Sequence, residues 1–366
     1  MWIPKKSRSS GKTYYYNTVT KQTSWTVPKD ELLKQDDKKE AKASSTVAKA
    51  YSTVAQTSGK KSRGVTRQIR FWNNLVKRHL IFNSIPSIQH IKALDLCCGR
   101  GGDMGKILQH PNVRRYRGVD ISDGAVKEAI NRSTVHNRYN AALDFVVADA
   151  RTSSLETWTS YSAIEKTWTL GQPAYQDILM LGEAYDASSH HYTLINCQYA
   201  LHYMCKTKKS LRDFLTRVRQ SMNPTSPFAC FIGTLPSAEN IVRAIANQYP
   251  LPDYCKVTPG KRWKGNKRFG DPYFFYLEGG VPDLEEYLVP KDAFLALAKE
   301  CGLKNTLYMN AGEYLERETK RRVASETDDS PWVNCTGSKM TDCQRSAGNL
   351  DWNVTCLYDV FVFVKK

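Results

Sequence analysis

The run Leu94-Asp95-Leu96-Cys97-Cys98-Gly99-Arg100-Gly101-Gly102-Asp103 constrains this chain more than any other stretch. With Ile91-Lys92-Ala93 before it and Lys106-Ile107-Leu108 after it, it reads as a buried strand, a glycine-rich turn and the start of a helix. Glycines let the backbone turn tightly and approach a ligand with no Cβ in the way. The adjacent glycines and closing aspartate depart from the dinucleotide-binding spacing. About 20 residues on, the spacing of such pockets, a second strand, Tyr116-Arg117-Gly118-Val119-Asp120, ends in an acid. A carboxylate at that offset suits the two hydroxyls of a ribose. A third strand, Leu143 to Asp149, ends in another acid that could accept from an adenine amino group.

A glycine turn, a ribose acid and an adenine acid on successive strands describe a pocket for S-adenosylmethionine. The 366 residues, 41% hydrophobic, suffice for one large domain plus something small. A formal charge of +17 points to a polyanionic partner, nucleic acid before membrane. No apolar stretch is long enough to span a bilayer, and no signal-peptide core stands at the N-terminus. The 10 cysteines form no CxxC pairs and sit largely in apolar runs, so they read as core residues of a reducing compartment, with no metal site.

At the N-terminus, Trp2, Gly11, Tyr14-Tyr15-Tyr16-Asn17, Thr20, Trp25 and Pro28 stand at the spacing of a WW domain. Alternation puts Trp2, Tyr15 and Pro28 on one side as a hydrophobic buckle. Tyr14 and Trp25 project from the other as walls of a proline-accepting groove. The loop Ser7-Arg8-Ser9-Ser10-Gly11 resembles the phosphate-gripping loop in the WW domain of phospho-dependent proline isomerases. That resemblance implies that Ser7 and Arg8 hold the phosphate of a phosphoserine-proline motif. Residues 1–29 therefore form the expected WW unit, 30–63 a Lys/Ala/Ser-rich flexible linker, and 64–366 the large domain.

The large domain opens on an amphipathic helix from Arg70 to about Phe82. Phe71, Leu75, Val76 and Leu80 face the core there, and Asn73, Asn74 and Lys77 share a polar face. After Asp149 a Thr/Ser/Trp/Tyr-rich segment runs to about His191 with no assignable chemistry. A fourth strand, Tyr192 to Cys197, runs into Gln198-Tyr199-Ala200-Leu201-His202-Tyr203, an aromatic platform suited to a stacked base. A helix from Leu211 to Met222 and a fifth strand ending at Leu235-Pro236-Ser237 follow. The basic, aromatic stretch Lys256 to Phe275 reads as an RNA-facing lid or a surface loop.

Asn73-Asn74-x-x-Lys77, LDLCCGRGGD, GVDIS, QYALHY and GTLPS, in this order, resemble eukaryotic messenger-RNA cap guanine-N7 methyltransferases from about Arg67 to the C-terminus. The resemblance implies a class I, Rossmann-like, S-adenosylmethionine-dependent methyltransferase sheet, an α/β fold, with the last strand (Leu357 to Val364) inserted antiparallel. It implies that Lys77, Asp95, Cys97, Gly99, Asp103, Asp120, Asp149, Gln198 and Tyr203 bind the methyl donor. Asn73, Arg100, Arg132, Tyr199, His202, Tyr203, Pro236, Glu286 and Tyr358 would bind the cap, with Glu285 open as the alternative to Glu286. Guanine N7 has a lone pair and no proton, so no catalytic base is needed; His202, Tyr203 and Glu286 would position the base. The implied partners are 5′-capped mRNA and a proline-directed phosphoprotein such as the RNA polymerase II C-terminal repeats, met by a monomer in the nucleus. A methyltransferase for another base or a small molecule is the rival enzyme reading. The rival from another class is a phosphopeptide adaptor with an inactive methyltransferase domain.

Overall fold

The computed structural model describes residues 2–7, 9–26, 49, 66–85, 90–136, 141–150, 191–265, 267–324 and 349–366. Arg8, Pro28, the 30–63 stretch apart from Lys49, and the segment 151–190 lie outside the described residues. The chain divides into two units, Met1–Ala50 and Tyr51–Lys366.

In the first unit, β1 (Trp2–Lys6), β2 (Thr13–Asn17) and β3 (Thr23–Ser24) form an antiparallel sheet in that order. Both turns are closed by short-range bonds that the sequence supplies. Ser7 N–H donates to Lys12 O at 2.9 Å, and Gly11, at φ +66°, takes the left-handed corner that favours glycine. Asn17 Oδ1 accepts from the Val19 and Thr20 amides at 2.9 and 3.0 Å, an Asx turn. The two-residue period then places Tyr14 and Tyr16 on one face and Tyr15 on the other.

The second unit is built on a seven-stranded sheet. Its strands are β4 (Ile91–Leu96), β5 (Val113–Asp120), β6 (Ala142–Val147), β7 (Leu194–Cys197), β8 (Cys230–Pro236), β12 (Leu303–Asn310) and β13 (Tyr358–Lys365). Their order is β12-β13-β8-β7-β4-β5-β6. The five central strands pair in parallel, and β13 runs antiparallel to both its neighbours. This is a doubly wound, mostly parallel sheet with its last strand inserted antiparallel, as expected from the sequence. Apolar runs such as Leu194-Ile195 and Phe231-Ile232 are buried on both faces, as parallel strands require. Gly233 is where β8 lies closest to its neighbours: a Cβ there would stand 2.1 Å from Cys197 O and 2.6 Å from the Phe361 ring.

Helices α1 (Arg67–Ser84), α2 (Met104–Leu108), α3 (Asp123–His136), α4 (Lys208–Ser221), α5 (Ala238–Ile245), α6 (Lys291–Glu300), α7 (Ala311–Ala324) and α8 (Leu350–Thr355) complete the described elements of this kind. One core cluster gathers Ile69, Trp72, Leu80 and Ile232; the other gathers Phe214, Phe231, Phe294 and Phe363. Each such side chain stabilises by roughly 1.5–3 kcal/mol relative to exposure. In α1 the buried stripe is Ile69, Trp72, Val76 and Leu80, while Phe71, expected in the core, is only half-buried. Steps of three and four residues put Trp72, not Phe71, in line with that stripe. Likewise Asn73 and Lys77 turn inward while Asn74 is exposed. Between α5 and α6, β9 (Cys255–Pro259), β10 (Pro272–Leu277) and β11 (Val281–Tyr287) make a small antiparallel sheet that sequence patterning did not foretell.

Candidate active site

All five parallel strands end on one edge of the sheet, where doubly wound folds bind ligands. The turn after β4 is held open there. Cys97, Gly99 and Gly101 have φ of 56°, 52° and 70°, and a Cβ added at Gly99 would meet nothing within 4 Å. Left-handed backbone at a non-glycine such as Cys97 costs about 1–3 kcal/mol and concentrates at functional sites. Asp120, closing β5, ties the turn down. Its Oδ2 accepts from Gly99 N–H at 2.9 Å and its Oδ1 from Ser122 N–H at 2.8 Å. Burial pushes the Asp120 carboxyl above its usual range against those backbone donors. Each oxygen keeps a second lone pair for a hydroxyl. Asp149 follows β6, two residues beyond Val147, which pairs with Asp120 across the ladder.

Asp103 ends the turn between two lysines, Lys77 Nζ at 2.7 Å and Lys106 Nζ at 2.9 Å from Oδ1. Burial alone would raise its carboxyl; the two ammonium groups outweigh that and hold it at about 2. Lys77 also lies 5.7 Å over the Tyr199 ring, so α1, the turn and the aromatic platform meet at one cation.

Asp95 sits deeper. Its Oδ2 accepts from Tyr116 Oη at 2.7 Å and its Oδ1 from Asn196 Nδ2 at 2.7 Å. Burial and the nearby Asp103 charge raise its carboxyl to about 7, opposed by those two bonds and by Lys77. The chain of bonds continues: Asn196 Oδ1 accepts from Gln198 Nε2 at 2.8 Å. An acceptor at one end forces the polarity of every amide along it, so the Gln198 carbonyl is left to face outward. That Gln198 Oε1 is buried without a partner. The relay sets Asp95 inside the wall of the site, with both oxygens already engaged by protein.

Beyond Gln198 comes the aromatic platform. Tyr199 has φ 56°, its amide donates to Thr234 Oγ1 at 2.7 Å, and its hydroxyl is buried without a partner. Tyr199 meets Tyr358 edge-on at 4.6 Å, and Tyr358 meets Phe275 at 6.3 Å. Tyr358 pairs in register with Pro236, so β13 and β8 bring both to this wall. His202 and Tyr203, in a short 3-10 turn, lie 4.1 Å apart. Glu286 faces them, 1% exposed, across from Tyr273 in the β10–β11 ladder. Its Oε2 accepts from Tyr273 Oη at 2.7 Å and its Oε1 from Tyr203 Oη at 3.5 Å. His202 Nε2 is 3.2 Å from Glu286 Oε1, but neither ring nitrogen makes a hydrogen bond. Glu285, pointing the other way along the strand, is exposed and accepts from Tyr287 Oη at 2.9 Å. Tyr273 and Phe275, two apart on β10, share a face and join the two aromatic groups into one wall.

Two cations flank the turn. Arg100 lies 3.5 Å from Glu128 on α3, and Arg132, one turn on, pairs with the same carboxylate. Asn73 Oδ1, from α1, accepts from Thr355 Oγ1 at 3.0 Å. Tyr116, Asn196, Thr234, Glu128 and Tyr273 were not singled out in the sequence. Only Glu128 left a trace there, its four-residue spacing to Arg132.

Four buried polar atoms make no hydrogen bond between Gln198 and His202: Gln198 Oε1, Tyr199 Oη and both His202 ring nitrogens, of which Nε2 lies 3.2 Å from the Glu286 carboxylate. An unpaired buried polar group costs about 1–3 kcal/mol, so native interiors keep few. The open glycine turn and the strand-end acid Asp120 fit an adenosine-bearing methyl donor.

In the N-terminal unit, Tyr14 and Trp25 stand 5.6 Å apart at 55°, with Trp25 63% exposed. Ser7 Oγ accepts from the Ser10 amide at 3.3 Å and lies 3.1 Å from Ser9 Oγ; Arg8 lies outside the described residues.

Residues 34–366 match the model of the mRNA (guanine-N(7))-methyltransferase domain, and residues 1–28 that of the WW domain. Among relatives, an mRNA cap guanine-N(7) methyltransferase of Debaryomyces hansenii is 25% identical over 340 residues, covering 84% of this chain and 60% of that protein. One from Oryza sativa is 27% identical over 288 residues, covering 75% of this chain and 68% of that protein. The chain spans 47–60% of the length of the first three fungal relatives. A putative S-adenosylmethionine-dependent methyltransferase structure from Listeria monocytogenes aligns at 14% identity and TM-score 0.44, over 80% of this chain and 97% of that one.

Proposed function

The chain belongs to the mRNA (guanine-N(7))-methyltransferase family, and from that premise we propose that it methylates guanine N7 of the 5′ cap of RNA. S-adenosylmethionine, bound by Lys77, Asp103, Asp120, Asp149 and Gln198 against the Cys97–Gly99 turn, supplies an electrophilic methyl group. The observation that supports this most is the orphaned row at Gln198, Tyr199 and His202, facing a buried Glu286. Guanine presents two donors on its N1/N2 edge, and a carboxylate accepts from both; adenine presents no such pair. The same negative charge stabilises a purine ring that becomes cationic on methylation. Asn73, Arg100 and Arg132 would meet the triphosphate, with Glu128 holding the two arginines ready. The remaining residues align the base with the donor and take no proton.

The WW unit would work separately, its Tyr14–Trp25 groove taking proline and Ser7 with Arg8 taking the phosphate of phosphoserine-proline repeats, such as those of RNA polymerase II. That activity places a monomeric enzyme at nascent transcripts in the nucleus and raises its effective concentration there. The test is purified chain with labelled donor and RNA capped with unmethylated guanosine, adenosine-capped RNA serving as control. Label entering N7 of the guanosine cap alone is expected. Donor binding with no transfer to either RNA would favour the adaptor reading. Equal binding of phosphorylated and unphosphorylated Ser-Pro peptide would remove the phosphate role from Arg8.

A further inference from the structure

From Gly260 to Asp271 the chain carries five cations, Lys261, Arg262, Lys264, Lys267 and Arg268, and one acid, Asp271. All five cations are exposed, while Asp271 is buried. None of the five is ion-paired among the described residues. Elsewhere on the surface cations do find acids, as in Lys209–Asp213 at 2.6 Å and Arg212–Glu300 at 2.8 Å, but within this segment the one acid is buried. Uncompensated cations repel one another, and a fold keeps them together only at a cost that a polyanion removes.

The segment carrying them is pinned. Gly260 N–H donates to Pro272 O at 2.9 Å, Trp263 N–H to Gly260 O at 2.9 Å, and Gly270 N–H to Leu288 O at 2.8 Å. Trp263 packs against one core cluster and Phe269 against the other. Gly270 has φ +78°, and a Cβ there would stand 2.7 Å from Lys206 O, so the segment rests on the chain just after Tyr203. At its far end comes Tyr273, which holds Glu286. The cations thus form a ridge beside the aromatic pocket, pinned at Gly260 and Trp263 on one side and at Gly270 on the other.

We propose that this ridge grips the phosphodiester backbone of the RNA leading away from the cap. The inference rests on the capped-RNA reading, because the pocket it borders must then hold the 5′ guanine. Contact with phosphates adds affinity without sequence preference, which suits an enzyme that meets every transcript. A five-residue Gln variant (Lys261, Arg262, Lys264, Lys267 and Arg268→Gln) tests it in the full chain.

The variant should bind an RNA of about 20 nucleotides tenfold or more weakly, with a log–log salt slope shallower by about 3.5, since each single-strand phosphate contact contributes about 0.7. Its KM for the cap dinucleotide GpppG should stay within about twofold of the parent, because the dinucleotide lacks the phosphates the ridge would hold. The double variants Lys261→Gln/Arg262→Gln and Lys267→Gln/Arg268→Gln should each show part of the slope change, with melting temperatures unchanged. Unaltered RNA binding, or equal losses on dinucleotide and long RNA, overturns the ridge. RNA binding lost in the variant while the parent methylates neither substrate keeps the ridge and removes the cap reading.

Discussion

Two sites in this chain, each walled by tyrosine, differ in burial. Trp25, facing Tyr14, is 63% exposed, whereas His202 and Glu286, facing Tyr203 and Tyr273, are 2% and 1% exposed. At the open groove water replaces whatever a substitution removes, so each residue carries a modest share of binding. In the closed pocket nothing replaces it: a lost charge leaves partners unsatisfied in a medium where electrostatics are strong. Single substitutions should therefore be graded by burial.

The largest effect is expected at Glu286→Gln. The side chain keeps its shape and can still bond Tyr273, but the negative charge opposite the purine is gone. The single-turnover rate on capped RNA should fall on the order of 10²–10³-fold, as for loss of one preorganised electrostatic partner. Donor affinity measured by calorimetry should stay near that of the parent. A drop in donor affinity as large as the drop in rate would put Glu286 in the donor's pocket and break the comparison.

The next effect tests burial at two carboxylates behind the aromatic platform. Asp103 is held at about 2, below its ordinary 3.8, by Lys77 and Lys106 against its burial. The unfolded chain thus takes up its proton first as pH falls. The stability Asp103 contributes is complete above about pH 4 and is lost as pH falls towards 2, about 2 kcal/mol in all. Asp95, raised to about 7 chiefly by burial, has the opposite sign: its native state keeps the proton longer, so stability declines as pH rises from about 4 to 7. Denaturant unfolding across pH should show the acid loss disappear in Asp103→Asn and the decline towards neutrality disappear in Asp95→Asn. Unchanged profiles in both would show that the buried charges are more solvated than their surroundings imply.

A smaller change is expected at the open groove. Trp25→Ala should weaken binding of a phosphoserine-proline peptide by about tenfold, or 1.4 kcal/mol, while methylation of short free capped RNA stays intact. Loss of transfer on free RNA would mean that the module does more than tether.

Burial also decided what could be read from the sequence. The glycine turn, Asp120, Asp149 and the Gln198–Tyr203 cluster were legible because each is a local pattern at the end of its own strand. WW spacing was legible for the same reason. Asp95 was placed in the donor site by likeness alone; its engagement depends on Tyr116 and Asn196, 21 and 101 residues away. No local pattern announces such a relay. Tyr273 escaped notice because its role depends on the β10–β11 register, which two flanking basic and acidic stretches conceal. Trp72 and Phe71 are neighbours of similar apolarity, and it is the three- and four-residue steps from Ile69 to Leu80 that turn Trp72 inward.

Glu285 offers the smallest effect and the sharpest control. It precedes Glu286 on one strand, with the same charge and nearly the same sequence environment, so likeness alone left the two open. Alternation sends the side chains to opposite faces: Glu286 to Tyr203, Tyr273 and His202, Glu285 to solvent and Tyr287. The Tyr287 bond is exposed, and water can replace it, so Glu285→Gln should cost only a few tenths of a kcal/mol in stability. It should also leave the methyl-transfer rate within about twofold of the parent, because a solvated charge at that distance is heavily screened. The two variants can be compared in one assay under one condition, which removes differences of salt and substrate. Equal rate losses would show that strand charge, not burial against the pocket, governs the reaction. Loss in Glu285→Gln alone would mean that the strand register differs when RNA is bound.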